Sequence, residues 1–262
     1  MTDQWMADQR LGRRDALNRV HPTCVLREDP ALARQLSPSE AHQASRRAVA
    51  SVVSLPKGVF WPHERFPDER GTLGMLLLEG ILLRAVAVTD RPTVEVIGAG
   101  DLFRLLEQQQ DPNAIVSGEV RWWALRPARV AVLDASFARS MSDYPGVVAE
   151  LTGRLLRRSA ASSLRLAIVQ EPRLSVRLHC LLWQLADRFG EPQGEGMLVK
   201  VPLCHVLLSW LVGARRPAMS RAINELERAG QLARRPDGMW WLGRQRPEGF
   251  GQLTRVTQPV AA

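Results

Sequence analysis

Residues 202 to 243 constrain the fold more than any other part of this chain. Their first part is almost wholly apolar and predicts a buried helix that ends at Gly213. After Pro217, apolar residues recur at helical spacing until Gly230, and proline suits a first turn because it has no N–H to leave unpaired there. Arg235-Pro236-Asp237-Gly238 then forms a turn between two strand-forming runs. The order helix, turn, helix, hairpin predicts a winged helix-turn-helix.

Arginines are concentrated in the same region. Eight of them lie between residues 213 and 246, against three acidic residues. The whole chain has a net charge of +8 and a pI near 10.7, which favours a polyanionic partner. In a helix-turn-helix, the second helix enters the major groove of DNA with its N-terminal residues nearest the bases. The arginines that we expect to reach a duplex are Arg215, Arg216, Arg221, Arg234 and Arg235.

The chain from Val52 to residue 134 has the pattern of strands. Near-continuous apolar runs are interrupted by Glu79-Gly80, by Asp90-Arg91-Pro92 and by the segment from Gly98 to Asp101. Short turns of this composition at this spacing predict a β-sandwich or a β-roll, which residues 120–134 would close.

A helix of about 25 residues is predicted after Pro145, and it ends before Glu171-Pro172 because the residue before a proline is pushed out of the α region. Residues seven apart form a seam along it, with small side chains at its centre. Such a seam favours pairing with a second copy of the helix, although packing on its own domain is the alternative. The residues of the predicted dimer interface are Val148, Leu155, Ser162, Leu166 and Val169.

These patterns predict an α+β protein with five parts. They are an N-terminal extension over 1–45, a β-roll over 46–140, a dimerisation helix over 141–171, a winged helix-turn-helix over 172–243 and a C-terminal tail over 244–262.

The order of these parts resembles the Crp/Fnr superfamily of bacterial transcription regulators, over roughly residues 50–243. The segments that carry the resemblance are LLLEGILL, IGAGDLF, FARSMSDYPGVVAELTGRLLRR, VRLHCLLWQLADRFG and VGARRPAMSRAINELERAGQL. The resemblance implies a homodimer that binds an inverted-repeat DNA operator and works with RNA polymerase. It implies base reading by a segment that includes Pro217, Ser220 and Asn224, and a phosphate contact by His205. The family usually has an acid where this chain has Pro217, so we expect a different operator.

The resemblance also implies a cyclic-nucleotide-binding fold for the β-roll. Members that bind cyclic AMP hold it with a glutamate and, further on, with an Arg-Ser pair, which here falls on Gly118 and Glu119. We therefore expect no cyclic AMP in the usual pose, and the cofactor stays unknown. Another nucleotide, such as a cyclic dinucleotide, is the alternative effector. The candidate ligand contacts are Arg104 and Arg121 for an anion, and Ser162 and Ser163, which match a base-contacting hydroxyl pair in the family but equally suit close helix packing.

Other classes of protein are disfavoured by what the sequence lacks. The three cysteines are widely spaced and match no zinc or disulfide framework, so no metal is expected. No apolar run has the length of a membrane span, and the first residues lack a signal-peptide core, so we expect a cytoplasmic protein with no membrane partner. The sequence contains no nucleophile–base constellation and no phosphate loop, so we do not expect an enzyme. A ligand-binding or protein-interaction module, whose helix-turn-helix only packs, is the alternative from another class.

Overall fold

The structure is a computed structural model, and it describes residues 21–61, 66, 72–104, 116 and 118–247. The chain divides into two compact units, Met1–Ser163 and Leu164–Ala262. None of the helices in these described ranges is long and apolar enough to cross a membrane.

The first unit is built on an antiparallel sheet with the strand order β1-β2-β7-β4-β5, in which β3 also pairs with β7 and β6 with β4. Its strands are β1 (His21–Cys24), β2 (Val49–Leu55), β3 (Gly58–Phe60), β4 (Gly74–Ala87), β5 (Thr93–Gly98), β6 (Leu102–Phe103) and β7 (Glu119–Leu133). Its helices are α1 (Val25–Glu28), a 3₁₀ turn (Pro30–Ala33), α2 (Pro38–Arg47), α3 (Ala135–Met141) and the start of α4 (Pro145–Val169). The long helix α4 has the 25 residues that the sequence predicted.

Glu79-Gly80 does not separate two strands, which corrects the sequence prediction. β4 continues through both residues, and its register against β7 shifts between Leu77 and Leu82. Gly80 has φ +99°, and a Cβ there would lie 2.6 Å from the carbonyl oxygen of Pro127. The glycine therefore permits an irregularity within a long strand, because no larger residue fits this backbone and this close approach.

The predicted N-terminal extension also differs from the structure. Residues 1–20 lie outside the described residues, but 21–45 are part of the first unit. β1 pairs with β2, and Val25 and Leu32 are fully buried in the core beside α3 and α4. Ser37 and Glu40 form a reciprocal capping box at the start of α2. These elements are too short for the periodicity that the sequence reading used, and only their burial shows that they belong to the core.

The second unit contains a helical group and a four-stranded sheet with the order β10-β11-β9-β8. Its elements after α4 are α5 (Leu174–Phe189), β8 (Gly190–Gln193), β9 (Gly196–Val199), α6 (His205–Leu211), α7 (Arg216–Arg228), β10 (Leu232–Arg234) and β11 (Trp240–Leu242). The apolar spacing between Arg173 and Phe189 predicts a helix, and α5 confirms it. Helix α7 and the β10–β11 hairpin also agree with the sequence prediction. The glycines and the proline between Gly190 and Gly196 predict a loop, but this segment is a strand and a turn. The helix expected at Pro202 begins at His205 because Cys204 is extended.

Candidate nucleic-acid interface

The turn between α6 and α7 depends on one glycine and one distant arginine. Gly213 has φ +66°, a left-handed conformation that favours glycine. The N–H of Ala214 donates to the carbonyl oxygen of Ser209 at 2.8 Å, which closes the turn. Arg177 on α5 donates from Nη1 to the carbonyl oxygen of Val212 at 3.1 Å. Arg177 was missed by the sequence reading, since nothing local in the sequence links it to this turn.

Helix α7 has one buried face and one exposed face. Met219, Ala222, Ile223 and Leu226 are buried, as the apolar spacing predicted. At 100° per residue, four candidates of α7 lie on or beside the opposite face. They are Pro217, Ser220, Arg221 and Asn224, of which Ser220 is half-buried and the others are exposed.

Positive charge gathers where α7 begins. Arg215 is the N-terminal cap residue, and both it and Arg216 are exposed. His205 Nδ1 lies 3.4 Å from Ser220 Oγ, so the first residue of α6 contacts α7. Burial lowers the pKa of His205, and the charges of Arg234 and Arg216 lower it further. Arg234 and Arg216 thus create a positive potential around His205, and such a potential would attract DNA phosphates.

The hairpin brings Arg234 to the same place but turns Arg235 elsewhere. The Arg234 guanidinium lies 5.8 Å from the Trp240 ring centroid, and the Trp240 indole in turn lies 6.0 Å from His205. Arg235 donates from Nη1 to Gln193 Oε1 at 2.8 Å and lies 3.7 Å from Asp237. Arg215, Arg216, Arg221, Arg234 and His205 therefore form the candidate interface, while Arg235 is engaged with the β8–β9 side of its sheet.

The four candidate ligand residues already have partners within the protein. Arg104 donates to the carbonyl oxygen of Thr72 at 2.7 Å, and Arg121 donates to Glu119 at 2.7 Å. The hydroxyls of Ser162 and Ser163 donate to carbonyl oxygens of their own helix, four residues earlier. Residues 105–115, which follow Arg104, lie outside the described residues.

The predicted dimer seam is only partly exposed. Leu155 and Leu166 are 40% and 70% exposed, and Ser162 is exposed as well. Val148 is half-buried against the core of the first unit, and Val169 is half-buried. Leu156, which the sequence reading did not select, is 66% exposed. Leu164, which is 49% exposed, was not selected either, so the exposed leucines of α4 extend from Leu155 and Leu156 to Leu164 and Leu166.

The opposite side of α4 carries two arginines that the sequence reading also missed. Arg158 donates to both carboxylate oxygens of Glu95, at 2.6 and 2.9 Å, and to the carbonyl oxygen of Leu102. Arg154, which is 8% exposed, pairs with Asp29 and donates to the carbonyl oxygen of Gly100 at 2.9 Å. Both arginines hold the helix on the roll, so they are not available to a DNA backbone.

In the part of the chain that the structure describes, no three or more histidine, cysteine, aspartate or glutamate side chains are grouped so that they could hold a metal ion.

Known proteins resemble this chain most clearly in structure. No family model matches it. A transcriptional regulator of the Crp/Fnr family from Thermus thermophilus matches 73% of this chain and 92% of its own, with a TM-score of 0.53 and 19% identity. The chain has the Crp/Fnr fold. A cyclic nucleotide-binding domain containing protein from Listeria monocytogenes shares this fold, with a TM-score of 0.60, 12% identity, and 74% and 88% of the two chains covered.

One curated relative with related sequence is the regulatory protein CysR of Synechococcus elongatus, which is 33% identical over 73 residues. That match covers 27% of this chain and 35% of CysR. The structural matches show the Crp/Fnr fold. Because the chain spans only about a third of CysR, the activity of the whole protein is a proposal.

Proposed function

We propose that this chain is a homodimeric, sequence-specific DNA-binding transcription regulator of the Crp/Fnr type. The observation that carries the proposal is the set of basic side chains at the start of α7. Arg215, Arg216 and Arg221 are exposed there, and Arg234 and His205 lie beside them. A helix with this charge at its N-terminus, placed by a helix-turn-helix, suits entry into the major groove.

The side chains at this site divide into two roles. Arg216 and Arg221 stand on or next to the exposed face of α7, where a guanidinium group can fork onto guanine O6 and N7. Arg215 and Arg234 lie at its edges and suit phosphate oxygens, which position a protein on a duplex without reading sequence. Pro217 has no side-chain donor or acceptor. The base opposite it should therefore be recognised by van der Waals contact with the proline ring or not be recognised at all.

The exposed apolar side chains of α4 support the proposed homodimer. Leu155, Leu156, Leu164 and Leu166 leave apolar surface exposed along one long helix, and exposed apolar surface of this kind favours a protein–protein contact. Ser159, Ser162 and Ser163 beside them are small and permit close approach of a second helix. A two-fold dimer presents two α7 helices, so its operator should be an inverted repeat with half-sites on the order of 34 Å apart.

In this proposal the β-roll does not bind cyclic AMP in the usual pose. Gly118 and Glu119 stand where an Arg-Ser pair would bind the cyclic phosphate. Glu119 is ion-paired with Arg121, and this hydrogen bond lowers the pKa of the Glu119 carboxyl. The carboxylate therefore keeps its negative charge, and position 119 offers no positive charge to a cyclic phosphate.

Selection of bound sequences from random duplex DNA by the full chain tests the proposal. We expect an inverted repeat, and affinity for it should fall steeply as salt rises because each phosphate contact releases counterions. A ligand-binding or protein-interaction module whose helix-turn-helix only packs would select no sequence. An absence of salt-dependent binding to any duplex would refute the proposed function.

A further inference from the structure

The second unit contains a cavity on the side of α7 away from its basic N-terminus. Its volume is about 520 Å³, within the usual range for small-molecule sites. The cavity lies between the start of α5, the C-terminal half of α7 and the segment that follows β11. The lining side chains used below are Arg173, Ser175, His179, Glu225 and Arg246.

The charged groups of this cavity are mostly positive. Arg173 and Arg246 line it, and Glu225 is the only acid in the lining formed by the described residues. Both arginines are exposed, and neither has a carboxylate partner within the described part of the chain. The Arg246 guanidinium lies 5.3 Å from the Trp183 ring centroid, which holds it in place without neutralising it.

His179 adds a hydrogen-bond donor to the same lining. It is 2% exposed, and burial lowers its pKa to about 4, so the imidazole is neutral near pH 7. The indole N–H of Trp183 donates to His179 Nε2 at 3.1 Å, which places the imidazole proton on Nδ1. Within the described residues Nδ1–H has no acceptor. A ligand oxygen in the cavity would accept a hydrogen bond from this N–H.

The start of α5 adds backbone donors. Arg173 is its N-terminal cap residue, and no side chain caps the first turn. The N–H groups of the first turn have no intrahelical acceptors, and Ser175 and Val176 of this turn line the cavity. Uncapped N–H groups, two arginines and the His179 Nδ1–H all favour the same kind of ligand group, an anionic oxygen.

Glu225 restricts the rest of the ligand. Its Oε1 accepts a hydrogen bond from Ser175 Oγ at 2.9 Å, which fixes the carboxylate in the wall of the cavity. A carboxylate repels a second anionic group but accepts a hydrogen bond from a hydroxyl or an amino group.

We propose that this cavity binds a small organic anion with one carboxylate or phosphate group and a hydroxyl or amino group beside it. Arg173, Arg246 and His179 hold the anionic group, and Glu225 accepts from the hydroxyl or amino group. The site is separate from the basic face of α7 and from the β-roll, so it is a second ligand position that the proposed DNA binding does not require.

Calorimetric titration of the full chain without DNA tests this inference. The probes are glycolate, a hydroxylated carboxylate, glycerol 3-phosphate, a hydroxylated phosphate, and neutral glycerol. We expect one of the two anions to bind at millimolar concentration or tighter, and which one binds distinguishes a carboxylate site from a phosphate site. Failure of both anions to bind, or glycerol binding as tightly as either, would overturn the inference.

Three variants make the test specific to the site. Arg173→Gln and Arg246→Gln should each weaken anion binding roughly tenfold or more, because each removes a charge-assisted hydrogen bond. Arg244→Gln is the matched control, since Arg244 is exposed two residues from Arg246 and does not line the cavity. Anion binding that is unchanged in the first two variants, or weakened equally in all three, would place it elsewhere. Because no DNA is present, the result is independent of the proposed function.

Discussion

Arg177 fastens the turn between α6 and α7 by donating from Nη1 to the carbonyl oxygen of Val212, 3.1 Å away. The same guanidinium donates from Nε and Nη2 to the carbonyl oxygen of Glu171, at 2.9 and 2.6 Å. One half-buried side chain on α5 thus contacts both the start of the turn between α6 and α7 and the segment that precedes α5. We therefore expect Arg177 to help set the direction in which α7 leaves the turn.

Arg177→Gln should therefore destabilise the second unit and weaken DNA binding together. Loss of charge-assisted hydrogen bonds to backbone carbonyls should lower the free energy of unfolding by roughly 1–3 kcal/mol. Urea denaturation and titration of the selected duplex measure the two effects. Arg188→Gln, an exposed substitution on the same helix, is the control. Equal behaviour of the two variants would show that the turn does not need Arg177.

Arg216→Ala and Arg234→Ala should affect DNA binding differently. Loss of a forked contact to guanine by Arg216→Ala should cost roughly 1–3 kcal/mol of binding free energy and relax preference at one base pair. Arg234→Ala should weaken binding to all duplexes alike, because one phosphate contact is lost. It should also reduce the slope of log binding constant against log salt concentration by about one. Titrations at several salt concentrations, on the selected site and on a scrambled one, separate these outcomes. If both variants bound every duplex as the unchanged protein does, the interface would be wrongly assigned.

Leu155→Glu should give monomers. The proposed seam would bury this charge without a partner, which is strongly unfavourable. Analytical ultracentrifugation measures the change. Leu156→Glu should have a similar effect, because the Leu156 side chain is more exposed in the monomer than that of Leu155. Thr152→Glu, an exposed substitution one turn earlier, tests how far the seam extends. A dimer that survives both leucine substitutions would place the interface outside this part of α4.

His179 should make the second unit less stable as the pH falls. Burial lowers its pKa to about 4 from the ordinary value of 6.5, so the unfolded chain binds a proton in the range where the folded chain does not. The stabilisation is complete above the unfolded value and is lost as the pH falls toward 4, by about 2 kcal/mol between pH 7 and pH 5. In His179→Gln the free energy of unfolding should fall by that much less over the same range. An NMR titration that gave His179 an ordinary pKa would contradict this prediction.

Cyclic AMP should not bind at the β-roll in the usual pose. The anchor positions hold Gly118 and Glu119, and the charge of Glu119 is maintained by Arg121. Calorimetry on the full chain should show no tight binding. Glu119→Arg restores one positive charge where the family has its arginine and tests whether charge alone excludes the nucleotide. Tight cyclic-AMP binding by the unchanged chain would show that other residues replace the missing anchors.

Local patterns in the sequence determined much of this protein. The apolar spacing predicted α4, α5 and α7 nearly to the residue, because helical periodicity depends only on neighbours within a few turns. The turn sequence from Arg235 to Gly238 predicted the β10–β11 hairpin in the same way. The basic residues around α7 were visible as a local excess of arginine.

Only the tertiary structure decided which of these residues are available and which are already paired. Arg158 and Glu95 are 63 positions apart, and Arg177 and Val212 are 35 apart, so no local pattern connects them. Arg235 looks like Arg234 in the sequence, yet its contact with Gln193 depends on β8, which the sequence reading took for a loop. Hydrophobic periodicity records the face that a segment buries, whereas the partner of a long charged side chain depends on the path of the whole chain.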